Sequence, residues 1–358
     1  MSNYENLGWP SAKVIKKSTY ITFNADGTIK YNTICTFELH YPRLVLCEFN
    51  THRAFSRNAA SSRAIPFVKM VEQLNGRPVR FGVNKAGMAD GGPHDALVKM
   101  PGTNVDVTPE ELWEKARDNA VEYASALNDA GYHKQVVNRL TEPFQMIKAI
   151  VTSTEWDNFF WLRYDEAADP TLQELAKEML KAYLETPAKL LGSGEWHLPF
   201  VHTCRENDVQ KFYINDPEDG SVRIYLSLEE AQKVSAARCA AVSFRRVDYT
   251  LEKSVEVYNK LVGAERKHAS AFEHQAKVPE DDGAINVKWD PQTWEPGISH
   301  VDRHGNLWSG NFKGWVQFRK LIPGENYTEF DYDAQLPTLF PEEALVEPEP
   351  EPQEYLIT

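Results

Sequence analysis

Cysteine is scarce in this sequence. Cys35, Cys47, Cys204 and Cys239 are the only four in 358 residues, and no two are spaced as CxxC or as zinc ligands. That spacing excludes a disulfide framework and a cysteine-based metal centre. The ten histidines include no HExxH pair, so no metal site is expected. Long apolar runs are missing too: none approaches the roughly 18 residues of a membrane span. The opening "MSNYENLGWPSAKVIKKS" lacks the apolar centre of a secretory signal. The expectation is a cytoplasmic protein with reduced thiols and no membrane partner. Positive charge is in deficit, with 39 Lys and Arg against 52 Asp and Glu and a net charge of −13. A broad nucleic-acid surface is therefore not expected, and any phosphate contact must be a local pocket. GxSxG, GxGxxG and Walker A patterns are absent, which removes those hydrolase and nucleotide-binding devices.

What remains is ordinary globular material, 42% hydrophobic and 25% charged. The pattern reads as α+β, an antiparallel or mixed sheet with packed helices. Residues 13–23 read as a strand, and Asp26-Gly27 is a hairpin signal. The return strand puts Ile29, Tyr31, Cys35, Phe37 and Leu39 on one face and Thr36, Glu38 and His40 on the other. Pro42 predicts a short helix running to about Arg53. Residues 77–107 read as a surface excursion rich in Gly and Pro. Thr108, Pro109, Glu110 and Glu111 open a helix with Leu112, Ala116, Tyr123 and Leu127 at helical spacing, ended by Gly131. Thr152 and Glu155 predict a capping box before an aromatic helix face of Trp156, Phe159 and Phe160. Arg163 falls on that same face, where a cation is costly unless an anion meets it. Asp169-Pro170 starts the next helix, and Ser227 with Glu230 caps another. Residues 191–200 and 215–220 read as linkers, and the acidic, Pro-rich tail 341–358 as disordered. His274 reads as a satisfied structural histidine, and Cys47 and Cys239 as small buried residues.

One stretch stands apart. "NTHRAFSRNAASSRA", residues 50–64, holds three arginines, one histidine, two asparagines and three serines. Short hydroxyls, backbone amides and guanidinium forks are how proteins cradle phosphate. Taken alone, the stretch reads equally as a solvated loop whose arginines meet surplus carboxylates.

Its pattern resembles the signature of the flavin-dependent thymidylate synthases, the ThyX family. Four further segments resemble parts of the same family: "VVNRLTEP", "STEWDNFFWLRYDEAADPTLQELA", "SAARCAAVSF" and "KHASAFEHQAKV". Together they touch about half the chain. Their order differs from the usual one, because the last two normally precede the signature. The resemblance therefore implies a circularly permuted ThyX-like fold, a single domain over residues 1–340. Its signature half would be 13–190, its connection 191–221 and its second half 222–330. Extra material would sit at 64–107 and 278–330. Permutation is tolerated where original termini lie close and new ones open an exposed loop.

The resemblance also implies roles. Arg163 would bind the pyrimidine ring and favour its N3-ionised form, as the catalytic residue. Arg139, Arg63, Ser61, Ser62 and Glu48 would contact the nucleotide. Thr51, His52, Arg53, Asn58, Asn158, His268, Ser270 and Glu273 would line the FAD site. Thr51 stands where the family has an arginine, Ala59 where it has a glutamate, and Glu48 where it has a glutamine. Thr152 and Thr154 replace an Asn and an Arg on the flavin side. At roughly 1.5–3 kcal/mol per charge-assisted hydrogen bond, such exchanges change the site. Gln317 or Arg319 could compensate. The implied activity is reductive methylation of dUMP at C5 to dTMP. FAD would be the cofactor, NADPH and methylenetetrahydrofolate the co-substrates, and a homotetramer with shared sites the assembly. Two alternatives stay open. One is a C5 methylase or hydroxymethylase of dCMP or dUMP, motivated by Glu48 and Ala59. The other is a non-catalytic flavin- or nucleotide-binding relative, motivated by Thr51.

Overall fold

The computed structural model describes residues 8–24, 26–242, 250–280, 290–335 and 338. The tail 341–358, part of the 278–310 insertion and the end of "SAARCAAVSF" lie outside the described residues. The chain divides into two units, the second beginning at Gly324. The described part of that second unit holds a 3-10 turn, Asp333–Gln335, and an edge-to-face pair of Phe330 and Tyr332.

The first unit is mixed α/β. Strands β1 (Ser11–Phe23) and β2 (Ile29–Pro42) form a long antiparallel hairpin, with an irregularity in register between Val14 and Lys16. Gly27 closes its turn with a φ of +80°, a backbone conformation glycine adopts without steric cost. β3 (Ser56–Ala59) leads into a short helix, α2 (Phe67–Val71), and then a surface excursion with a two-residue hairpin, β4 (Val98–Lys99) with β5 (Asp106–Val107). Helix α3 (Pro109–Asp129) begins on a full capping box of Thr108 and Glu111. α4 (Lys134–Val137) and a 3-10 segment, Asn138–Phe144, then deliver β6 (Met146–Ser153). β6 lies between β2 and β3, and the two-residue β7 (Lys189–Leu190) adds in parallel to β1.

This five-stranded sheet is covered on both faces. Cys35, Phe37, Leu39, Ile147, Ala149 and Val151 share one face, as alternation along paired strands requires. They meet Phe159 of α5 (Asp157–Arg163) and Leu172, Leu175, Ala176 and Met179 of α6 (Pro170–Glu185). The opposite face is unusually polar. Thr36, Thr152 and Ser56 lie directly across from one another in register. Two short strands, β8 (Trp196–His197) and β12 (Ala276–Lys277), join β16 (Val316–Gln317) in a small sheet over that face. A hydrogen-bonded column runs from one sheet to the other. His197 Nδ1 meets Ser18 Oγ at 2.9 Å, and His197 Nε2 meets Thr36 Oγ1 at 2.9 Å. Thr36 and Thr152 hydroxyls lie 2.7 Å apart, and Thr152 Oγ1 meets His274 Nδ1 at 2.9 Å. All five residues are fully buried.

A further lobe packs a meander of β9 (His202–Glu206), β10 (Val209–Asn215) and β11 (Arg223–Leu226) against α7 (Leu228–Ala241) and α8 (Leu251–Gly263). A last small sheet holds β13 (His300–Val301), β14 (Leu307–Ser309) and β15 (Phe312–Lys313).

Several sequence expectations need correction. The helix after Pro42 is a 3-10 turn and then α1 (Leu46–Phe49), not a helix to Arg53. It stops because Arg57 donates to the Phe49 carbonyl and Thr51 Oγ1 donates to that of Glu48. Thr152 caps nothing: it is a buried sheet residue, and α5 starts at Asp157 without a side-chain cap. The inward face of α3 is Trp113, Ala120, Val121, Ala124 and Leu127, while Ala116 and Tyr123 are exposed. Residues 191–200 are no linker, since Trp196, His197 and Leu198 are buried. Cys47 is exposed. Ile29 and Tyr31 extend past the core and are exposed as well.

Candidate functional site

The polar stretch 50–64 is a turn, an edge strand and a second turn, and the segments singled out with it close around it. After α1, the chain turns at Thr51-His52-Arg53. His52 is buried between rings: its imidazole stacks on Phe55 with centroids 5.6 Å apart and meets Phe159 edge-on at 4.9 Å. Arg163, the last residue of α5, reaches across 111 positions of sequence to this turn. Its Nε donates to His52 Nε2 at 2.9 Å, and its second terminal nitrogen donates to Thr51 Oγ1 at 3.2 Å.

These contacts fix the state of His52. Burial first, then the charges of Arg163 and Arg57, lower its pKa to about 4. At neutral pH the ring is uncharged. Nε2 accepts from Arg163, so the ring proton sits on Nδ1. An Arg163→Met substitution is expected to raise the His52 pKa towards its ordinary value, because one cation and one donor to Nε2 disappear together. Histidine NMR titration checks this. An unchanged titration would mean that burial and Arg57 hold the ring neutral without Arg163.

Arg57 on β3 was not among the residues singled out from the sequence, yet it anchors the turn. Its guanidinium donates to the carbonyls of His52 (3.0 Å) and Phe49 (3.3 Å). Among the described residues, Arg53, Arg57 and Arg163 have no carboxylate within ion-pair distance, in a chain with 13 more acidic than basic side chains. Three guanidiniums beside one turn without a bridging carboxylate are suited to an anion from outside the chain.

The other segments converge on the same stretch. Asn58 is buried and its amide nitrogen lies 3.4 Å from the Cys239 carbonyl of α7. The 3-10 segment Ala269–Glu273 packs against β3, and Glu273 pairs with Arg319. Gln317 is buried and reaches Asn311 (2.8 Å) and Ser56 (3.4 Å). Asn138 donates to the carbonyls of Ser62 and Ile65, and Ser62 donates to Glu142. Exposed positions around this centre are Glu48, Arg63, Asn158, His268 and Ser270, with Ser61 half-buried. Arg139 lies over Glu142, at the opposite end of β3 from the Arg163 contact. The site thus has two poles, one at Thr51–Arg163 and one at Ser62–Arg139.

Two solved structures of thymidylate synthase X (ThyX) from Helicobacter pylori, each holding FAD and dUMP, are similar to this chain. Their sequence identities are 16% and 17%, with a TM-score of 0.29, covering 42% of this chain and 67% of theirs. No protein-family model and no curated protein matches the chain.

The residues that sequence reasoning missed, Arg57, Arg43, Glu142 and Asn311, make their contacts here with the backbone or with another side chain. Arg57 carried the one available signal, a third cation inside the polar stretch. The groove of about 400 Å³ lined by Val71, Glu72, Leu74, Arg117, Asp118 and Val121 lies between α2 and α3 and includes none of these residues.

Proposed function

We propose that this chain is a flavin-dependent enzyme that alkylates C5 of a pyrimidine nucleoside monophosphate. In its simplest form it makes dTMP from dUMP, with methylenetetrahydrofolate as carbon donor and NADPH as reductant. The observation that carries this reading is the meeting of Arg163 with Thr51 and His52. Two segments that separately resemble the ThyX family meet there through a half-buried guanidinium. The permuted order, the FAD site and the tetrameric assembly belong to the same proposal.

The residues fit an anionic dinucleotide cofactor at the Thr51 pole, where three arginines have no carboxylate within bridging distance among the described residues. Thr51, His52, Arg53 and Asn158 would hold it from one side, with His268, Ser270 and Glu273 from the segment packed on β3. When bound, reduced flavin supplies two electrons to the transferred one-carbon unit. The chain's part is positioning and field. Arg163 stabilises negative charge developing on the pyrimidine ring, which makes C5 nucleophilic. Its fork is aimed in advance by His52 and Thr51, so little reorganisation is needed when charge appears. The neutral His52 keeps Nε2 free to accept from Arg163 Nε, which a protonated ring could not do. Folding the aromatic cluster of Phe49, Phe55 and Phe159 behind His52 excludes water from that side.

The test begins with colour. The purified protein is expected to be yellow, or to become so with FAD. Reduced anaerobically, it is expected to oxidise its flavin when given dUMP and methylenetetrahydrofolate. Protein that stays colourless with FAD would sink the reading. Parallel assays with dCMP decide the base: product from dCMP alone would favour the modified-base alternative, for which Glu48 and Ala59 are the motivating residues.

A further inference from the structure

At the second pole, donors suited to a phosphate already hold an anion, and it belongs to the chain. Glu142 projects from the 3-10 segment after α4. Its Oε1 accepts from Ser62 Oγ at 2.8 Å and lies 3.3 Å from an Arg43 terminal nitrogen. Its Oε2 lies 3.6 Å from Arg139. The surrounding scaffold is pinned. Arg43 reaches the Ala60 carbonyl at 3.5 Å and Lys134 donates to that of Ala64 at 3.0 Å. Asn138, fully buried, donates to the carbonyls of Ser62 (2.7 Å) and Ile65 (2.9 Å). One hydroxyl and two guanidiniums therefore converge on a single carboxylate from a preorganised loop. The Arg139 side chain is 59% exposed, Glu142 25% and Arg43 17%, so the cluster opens to solvent on the Arg139 side.

We infer that Glu142 is a built-in occupant of the phosphate cradle, and that an incoming phosphate monoester must displace its carboxylate from Ser62, Arg43 and Arg139. Carboxylate and phosphate oxygens use the same donors. A phosphate monoester brings three terminal oxygens and close to two negative charges at neutral pH. It outcompetes a carboxylate for two guanidiniums, but only after Glu142 has turned away or accepted a like charge beside it. Glu142 thus sets a threshold: weakly charged anions do not open the cradle, and a dianionic monoester does. This inference rests on the nucleotide reading above, but its prediction concerns Glu142 alone.

The experiment measures binding of inorganic phosphate, deoxyribose 5-phosphate and dUMP to the full chain by calorimetry, in the native protein and in Glu142→Gln. Gln keeps an acceptor for Ser62 and removes the charge. Removing a like charge from an anion site is expected to tighten all three ligands by about tenfold or more, with a steeper salt dependence. Equal or weaker binding in Glu142→Gln would overturn the inference and make Glu142 a brace that orients the arginines. If Glu142→Gln does not fold, Glu142→Asp serves. One methylene shorter, it is expected to loosen its hold and bind phosphate more tightly than the native chain, and unchanged or weaker binding counts against the inference. Tightening of all three ligands without preference for dUMP would keep the inference and remove the nucleotide reading. Turnover of dUMP with no tightening would do the reverse.

Discussion

Under the proposed function, an Arg163→Met protein is expected to lose flavin-dependent turnover of dUMP by about 10²–10³-fold, the usual cost of removing one preorganised electrostatic contact to developing charge. The side chain sits at the end of α5 and is half-buried; its hydrogen bonds go to His52 and Thr51. The loss leaves Nε2 of the buried His52 without its donor, but at a half-exposed position, so the melting temperature should fall only modestly. Arg163→Lys separates charge from geometry. A lysine restores the cation, but its single nitrogen cannot reproduce a fork with Nε on His52 and a terminal nitrogen on Thr51. Its activity is expected between those of Met and the native residue. Single-turnover flavin oxidation, with KM for dUMP measured alongside, reads both variants. Retention of native rates by Arg163→Met would remove Arg163 from the chemistry and leave it a prop for His52.

The second large effect is on stability against acid. His197 and His274 are fully buried in the hydroxyl column, and burial lowers both pKa values, that of His274 to about 3. The unfolded chain protonates its histidines near 6.5. Between the folded and unfolded values the unfolded state binds more protons, so stability is complete above about pH 6.5 and falls as pH drops through that window. His274 alone costs on the order of 3 kcal/mol by pH 4.5, and His197 acts in the same direction. Geometry gives the reason. Nε2 of His274 has no hydrogen-bond partner among the described residues, so the charged ring would bury an Nε2–H without an acceptor. Lys16, whose nitrogen donates to the Val201 carbonyl, lies near His197 and further disfavours charging that ring. Urea unfolding at a series of pH values is expected to show this slope. His274→Gln should flatten it, whatever its effect on stability at pH 7. A slope unchanged in that variant would place the acid sensitivity elsewhere, on His197 or on the carboxylates.

Local signals in the sequence were legible wherever the chemistry was local. The caps at Thr108, Asp169 and Ser227 each formed, because a side chain and the backbone two or three residues on are enough to make them. The aromatic face of α5 and the odd place of Arg163 were readable from helical spacing. Thr152 shows the limit. Its position three residues before Glu155 looked like a cap, but its hydroxyl is taken by Thr36 and His274, 116 and 122 positions away. The early stop of α1 had the same kind of cause, since Arg57 claims two carbonyls of the turn. β8 and β12 have two residues each, too short for any periodicity to register. At the site, the polar stretch announced itself by composition. Glu142 did not, because a lone glutamate acquires meaning only when Ser62, Arg43 and Arg139 are brought to it.

The hydroxyl column also bears on how the chain emerges from a ribosome. The apolar face of the five-stranded sheet is covered by α6, which ends at Glu185, so it can close early in synthesis. The other face waits far longer: His274 reaches Thr152 across 122 positions, and Gln317 reaches Ser56 across 261. Had that face been lined by leucine and valine, a nascent chain would expose a sticky sheet for most of its translation. Ser18, Thr36, Ser56 and Thr152 can instead hold water until their partners arrive. The polar lining thus makes the half-finished protein a tolerable neighbour to other nascent chains.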